Sequence, residues 1–255
     1  MSKNADLPKR LAVAFLLIGV AFAALYAGGF VFWLLVAVGS LLMLAEWANL
    51  VGATQRQRLI SQYALTVPLA ILSPLAAGPG FLALGLIGGA IFFTGATSFK
   101  PRLAWGVAYV GLPALALIVL RAEPNGFLLT FWAMALVWAC DSGAYFAGRA
   151  IGGPKLAPGI SPNKTWAGFI GGVAAAGVFA IVLVLLFDLP VALAIATPLL
   201  AMLAQVGDLY ESHLKRVAGV KDSGNLLPGH GGLLDRLDGL VAVAPVAALL
   251  VLLVQ

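Results

Sequence analysis

Residues 166–187 read WAGFIGGVAAAGVFAIVLVLLF. No side chain in this stretch ionises, and apolar residues do not alternate with polar ones. A helix crosses the hydrocarbon core of a bilayer with roughly 20 apolar residues. A membrane-barrel strand instead alternates with a period of two. The stretch therefore predicts a membrane-spanning helix. The same character recurs outward on both sides, over about 11–27, 30–50, 60–76, 80–97, 103–121 and 126–145 before it, and 191–212 and 237–254 after it. The breaks carry turn residues: Gly28-Gly29, Gly78-Pro79-Gly80, Pro124-Asn125-Gly126 and Asp188-Leu189-Pro190.

Composition closes off the other classes. Hydrophobic residues make up 62% of the 255-residue chain and charged residues 10%, against about 25% charged in a soluble domain. The mean hydropathy is +1.04. A water-soluble globule could not hide that much apolar surface, and disorder, collagen and coiled coil do not tolerate it either. The sequence predicts an all-α polytopic bundle of about nine transmembrane helices. It reads as a single membrane domain over 1–255, with 11–121 as scaffold helices and 126–255 carrying the chemistry. The loops leave no room for a soluble domain, and no internal repeat is present.

The fifteen Lys and Arg residues set the orientation. Lys3, Lys9, Arg10, Arg56, Arg58, Lys100, Arg102, Arg149, Lys155, Lys164, Lys215, Arg216, Lys221 and Arg236 all fall on one side of the nine-span arrangement, and only Arg121 falls on the other. Positive charge stays in the cytoplasm, so the N-terminus is expected inside and the C-terminus outside. Span one, with its basic start and Ala21-Phe22-Ala23, also resembles a cleavable signal peptide; retention is the favoured reading, because so many spans follow. The net charge of +5 is assigned to topology and to phosphate or headgroup contacts, not to nucleic acid. The lone cysteine, Cys140, excludes a disulfide framework and a cysteine-rich metal site.

Polar chemistry concentrates after residue 140, always on the side expected to be cytoplasmic. Asp208, Glu211, Ser212 and Lys215 stand at i, i+3, i+4 and i+7, one face of a helix. Asp235 and Asp238 share a face at the start of span nine. Between these faces lies Pro228-Gly229-His230-Gly231-Gly232, whose glycines let backbone approach a ligand closely. Carboxylates gathered at one point suit magnesium, which takes one or two of them and completes its shell with water and phosphate. Lys215, Arg216, Lys221 and Arg236 supply the positive charge that a polyphosphate needs. Ser161, Asn163, Lys164 and Thr165 precede span seven and read either as a phosphate or headgroup binder at a helix start or as an N-cap with a snorkelling lysine. Asp141 reads equally as a third metal ligand or as the partner of a base. His230 reads first as a polar loop residue, with ligand or acid–base roles open. Glu46, near the end of span two, reads first as an interfacial carboxylate and second as a functional acid.

Together these runs resemble a known family. Ser212-His213-Leu214-Lys215-Arg216, then Lys221-Asp222-Ser223-Gly224, then Leu227-Pro228-Gly229-His230-Gly231-Gly232-Leu233-Leu234-Asp235-Arg236-Leu237-Asp238, is similar to the signature of the phosphatidate cytidylyltransferases. Asp141-Ser142-Gly143-Ala144-Tyr145-Phe146, and Lys155-Leu156-Ala157-Pro158 followed by Ser161-Pro162-Asn163-Lys164-Thr165-Trp166, resemble that family's other two stretches. The resemblance covers roughly 141–238, and a run this long and ordered is specific.

The resemblance implies a phospholipid-biosynthetic nucleotidyltransferase that joins CTP and phosphatidic acid into CDP-diacylglycerol and releases pyrophosphate. It implies magnesium, a second monovalent cation such as potassium, a homodimer, and a bacterial-type inner membrane with the active site on its cytoplasmic side. Asp208, Asp235 and Asp238 are then the expected metal carboxylates and, with Lys215, the catalytic set. Ser212, Arg216, Lys221, Asp222, His230, Arg236, Ser161, Asn163, Lys164, Thr165 and Asp141 are the expected substrate contacts. Because a phosphate nucleophile is already ionised near neutral pH, no strong general base is needed. Two other classes fit less well. A CTP-dependent lipid-alcohol kinase would share the setting but transfer the γ-phosphoryl group to a hydroxyl. A transporter would show repeats and charge at mid-membrane.

Overall fold

The computed structural model describes residues 7–227 and 231–254. Nine helices lie among these residues: α1 (Leu7–Ala27), α2 (Gly29–Leu50), α3 (Gln55–Ile71), α4 (Phe81–Ser98), α5 (Pro101–Ala122), α6 (Gly126–Ile151), α7 (Trp166–Phe187), α8 (Val191–Val217) and α9 (Leu234–Val254). The expected α class holds, with one addition. The segment expected as a loop before span seven folds into an antiparallel hairpin, β1 (Lys155–Ala157) and β2 (Ser161–Thr165), with Ala157 facing Ser161. Seven of the helices, α2 and α4 to α9, are long and apolar enough to cross a membrane.

Several boundaries differ from the sequence reading, and each shift has a local cause. α3 begins at Gln55, five residues before the apolar run, because Thr54 and Gln57 close a reciprocal capping box around its first turn. α6 runs on to Ile151 and α8 to Val217, since polar residues continue a helix once it leaves hydrocarbon.

The chain divides into two compact units. The first holds residues 1–122 and 218–237. Its packing centres on Trp47 of α2, which is fully buried and donates from Nε1 to the Arg102 carbonyl at 2.8 Å. The indole lies over Gly106 of α5, where any Cβ would collide with it, and its ring stands 4.8 Å from that of Tyr109. Side-chain amides tie the helices through backbone carbonyls: Gln62 to Leu41 at 3.0 Å and Gln57 to Ser98 at 2.9 Å. Such bonds matter where no water competes for the donor. Arg121 donates from Nε to the Leu25 carbonyl at 3.0 Å.

The second unit holds residues 123–217 and 238–255. Its main seam joins α6 to α7 through small residues. A Cβ on Gly172 would stand 2.7 Å from the Cys140 carbonyl, one on Gly168 2.9 Å from that of Ala144, and one on Gly143 2.8 Å from that of Gly171. The helices therefore meet backbone to backbone, the small-residue packing that membranes favour. Cys140 is buried in this seam against Ala176 and Ala201. Trp132 of α6 donates to Thr197 of α8 at 3.0 Å, and Gln205 of α8 to the Phe169 carbonyl of α7 at 3.1 Å.

Candidate active site

In the second unit the polar end of α8 carries the face expected from the sequence. Ser212 Oγ lies 3.3 Å from Asp208 Oδ1, and Lys215 Nζ lies 3.1 Å from Glu211 Oε1. Both are one-turn pairs. Glu211 is fully buried and Lys215 is 8% exposed. That pair is sunk into the protein, whereas spacing alone marks Glu211 only as one acid among several.

The hairpin brings Lys164 to α8. Its ammonium pairs with Asp208 Oδ2 at 2.6 Å. The next residue, Thr165, caps α7 by accepting the Gly168 N–H at 3.1 Å. Of the four residues read either as an anion binder or as an N-cap with a snorkelling lysine, Thr165 is the N-cap of α7 and Lys164 pairs with a carboxylate. Ser161 is half-buried and Asn163 exposed on β2. Arg216 donates from Nε to the Ile160 carbonyl in the hairpin turn at 3.3 Å, which ties the end of α8 to the hairpin.

Asp238, in the first turns of α9, accepts the Gly239 N–H at 2.8 Å. Two glycines allow α9 to lie close to α8. A Cβ on Gly207 would meet the Asp238 carbonyl at 2.7 Å, and one on Gly239 would meet Val137 Cγ1 at 2.9 Å and the Ala204 carbonyl at 3.4 Å. Asp238 consequently feels the charges of Asp208 and Asp141, opposed by Lys215. Asp208, Asp238 and Asp141 thus form one electrostatic neighbourhood with Lys164 and Lys215 as its cations.

The first unit contains the rest of the signature run. Asp235 Oδ2 lies within hydrogen-bond distance of three donors of its own loop: Ser223 N–H at 2.8 Å, Gly232 N–H at 2.8 Å and the Ser223 hydroxyl, which it shares with Glu46, at 3.0 Å. Gly231 has φ +82°, and a Cβ there would meet Asp235 Oδ2 at 2.7 Å and Asp222 Cβ at 3.2 Å. Lys221, Asp222 and Arg236 are exposed. His230 lies outside the described residues. Glu46 also belongs here, buried and bonded to this loop through Ser223. Its place is not legible in the sequence, because its partners lie more than 170 positions away.

Among the described residues no three His, Cys, Asp or Glu side chains converge closely enough to cage a metal unaided. A pair of carboxylates beside a phosphate-rich substrate is nevertheless the donor set magnesium uses. In the second unit Asp208 and Asp238 are the carboxylates that could hold such an ion, the Asp238 carbonyl lying where a Cβ on Gly207 would stand 2.7 Å from it.

Comparison with known proteins agrees with the motif. The profile described as "Cytidylyltransferase family" matches residues 8–254. A phosphatidate cytidylyltransferase from Brucella suis is 41% identical over 248 residues, covering 94% of this chain and 91% of that protein. Proteins of the same name from Bacillus subtilis and Staphylococcus saprophyticus are 46% and 45% identical over 141 and 149 residues, which cover 54% and 57% of this chain and 52% and 56% of theirs. With a family profile matched along nearly its whole length and membrane-spanning helices on either side of its charged clusters, the chain belongs to the cytidylyltransferase family and is a membrane-embedded nucleotidyltransferase.

Proposed function

We propose that this chain transfers the cytidylyl group of CTP to phosphatidate at the cytoplasmic face of the membrane, forming CDP-diacylglycerol and pyrophosphate in a magnesium-dependent reaction. The observation that carries this reading is the grouping of Asp208 with Asp238, Lys164 and Ser212 at the polar ends of two apolar helices. The relatives named phosphatidate cytidylyltransferase supply the substrates.

In this reaction a phosphatidate phosphate oxygen attacks the α-phosphorus of CTP. The bond to the α,β-bridging oxygen breaks and pyrophosphate leaves. Both reactants are anionic, so the protein's task is to neutralise charge and align the groups. Magnesium would be held by Asp208 and Asp238, with Asp235 a third candidate whose Oδ2 is engaged by its loop. When bound, the ion would offset charge on the cytidylyl group being transferred. Lys215, Arg216, Lys221 and Arg236 are proposed to steady the triphosphate and the leaving pyrophosphate. Lys164, paired with Asp208 in this structure, is the cation best placed to exchange a carboxylate for a substrate phosphate. Ser161, Asn163, Asp141 and Asp222 complete the proposed substrate contacts, and Thr165 fixes the start of α7 beside them.

The test is direct. Purified protein incubated with labelled CTP, phosphatidate and magnesium should yield a labelled CDP-lipid and free pyrophosphate. A phosphorylated lipid with free CDP would instead indicate a CTP-dependent lipid kinase. No product under any divalent ion would overturn the reading.

A further inference from the structure

Glu46 sits near the end of α2, 6% exposed, inside a ring of donors. Its Oε1 accepts the Leu233 N–H at 2.9 Å, and its Oε2 accepts the Leu234 N–H at 2.8 Å. These two N–H groups open α9, so the carboxylate answers backbone donors that the helix cannot satisfy itself. It also faces the positive end of the helix dipole. Ser223 Oγ lies 3.0 Å from Glu46 Oε2 and 3.0 Å from Asp235 Oδ2. A hydroxyl has one proton, so Ser223 donates to one carboxylate at a time and stands as a shared donor between the two. Glycines make the wrapping possible. A Cβ on Gly224 would stand 2.9 Å from Glu46 Oε1, and one on Gly232 would collide with Ser223 Oγ and Glu46 Oε2.

We infer that Glu46 is a positioning residue for nucleotide binding: through Ser223, Asp235 and the first N–H groups of α9 it fixes the backbone around Ser223, residues 231–233 and the adjoining turn of α9, which present Lys221 and Arg236 to the CTP phosphates. In this role Glu46 acts through the loop, not on the nucleotide itself. A carboxylate buried at this depth is costly unless fully hydrogen-bonded, and here the donors around it belong to the loop and to the first turn of α9. An interfacial acid would need no such shell. The inference rests on the proposed reading of Lys221 and Arg236 as phosphate contacts.

The test uses the full-length purified protein with Glu46→Gln and Ser223→Ala. Glu46→Gln keeps shape but turns one acceptor into a donor facing other donors. Its KM for CTP should rise roughly tenfold, as expected for losing a charged hydrogen bond. Its KM for phosphatidate and its kcat at saturating CTP should stay near the parent. Hydrogen exchange should rise over peptides spanning 221–235 and remain parental over α3 to α5. Ser223→Ala removes only the link and should move the same KM about threefold; it carries the test if Glu46→Gln does not fold. A parental KM for CTP in the folded variants overturns the inference. So does an equal rise of both KM values with a lowered melting temperature, which marks a merely structural role. If the parent forms no CDP-lipid, the activity reading fails by itself. Loop exchange then decides the Glu46 contact: raised exchange supports it, and parental exchange overturns it.

Discussion

Gly207 of α8 lies against the backbone carbonyl of Asp238 in α9, where a Cβ would stand 2.7 Å from the oxygen and 2.8 Å from Ala242 Cβ. Neither neighbour is the far end of a flexible side chain, so Gly207→Ala must push the helices apart. Overpacking of this kind costs about 1–3 kcal/mol. Gly207→Ala should lower the melting temperature in detergent. It should also cut turnover, because Asp208 is the next residue and its distance from Asp238 is set by this crossing. A variant with parental stability and turnover would show that the crossing is not what brings the two acids together.

The acids themselves separate by magnesium titration. Asp208→Asn and Asp238→Asn should each reduce CDP-diacylglycerol formation by about a hundred- to a thousandfold, typical of losing one preorganised electrostatic group. Both should move the magnesium midpoint upward. Asp235→Asn should do the same and also loosen its loop, since three donors converge on its Oδ2. An Asp235→Asn protein with a parental magnesium midpoint but a raised CTP requirement would confine Asp235 to shaping the loop.

Two of the cations should respond differently. Lys215 is 8% exposed beside the fully buried Glu211, and breaking a buried pair costs about 3–5 kcal/mol. Lys215→Ala should therefore lose stability as well as turnover. Arg236 is exposed, so Arg236→Ala should raise the apparent CTP requirement with the melting temperature unchanged. Equal stability losses in the two variants would contradict this difference.

Orientation is tested by reporter fusion. Fourteen of the fifteen basic residues fall on one side of a nine-span reading. A reporter fused after Gln255 should be active only when it is one that works outside the cytoplasm. Cytoplasmic activity from that fusion would refute the arrangement.

Much of this molecule is legible in its amino-acid sequence. The helix at 166–187 coincides with its apolar run because hydrocarbon demands a fixed length of apolar side chains. The face of Asp208, Ser212 and Lys215 follows from helical spacing alone. Other features resist for physical reasons. Polar residues hide the start of α3 from a hydropathy pattern, although Thr54 and Gln57 spell a capping box. The 155–165 hairpin reads as a loop because its strands are short and its neighbouring helices are apolar; Pro158-Gly159 is the turn signal that points to it. Glu46 reads as interfacial, since nothing local distinguishes a snorkelling acid from one that grips a loop 187 positions away.

The seam between α6 and α7 has a consequence for Lys164. Leucine or phenylalanine loses rotamer freedom when packed, whereas glycine and alanine have none to lose. The glycines and alanine of the seam, Gly143, Ala144, Gly168, Gly171 and Gly172, therefore close without that entropic penalty, in a solvent that gives helices no hydrophobic reason to associate. The hairpin joins two helices held at backbone contact, so both its ends are tied to that seam. The amine is a short tether on a closely packed frame, set against Asp208 at 2.6 Å.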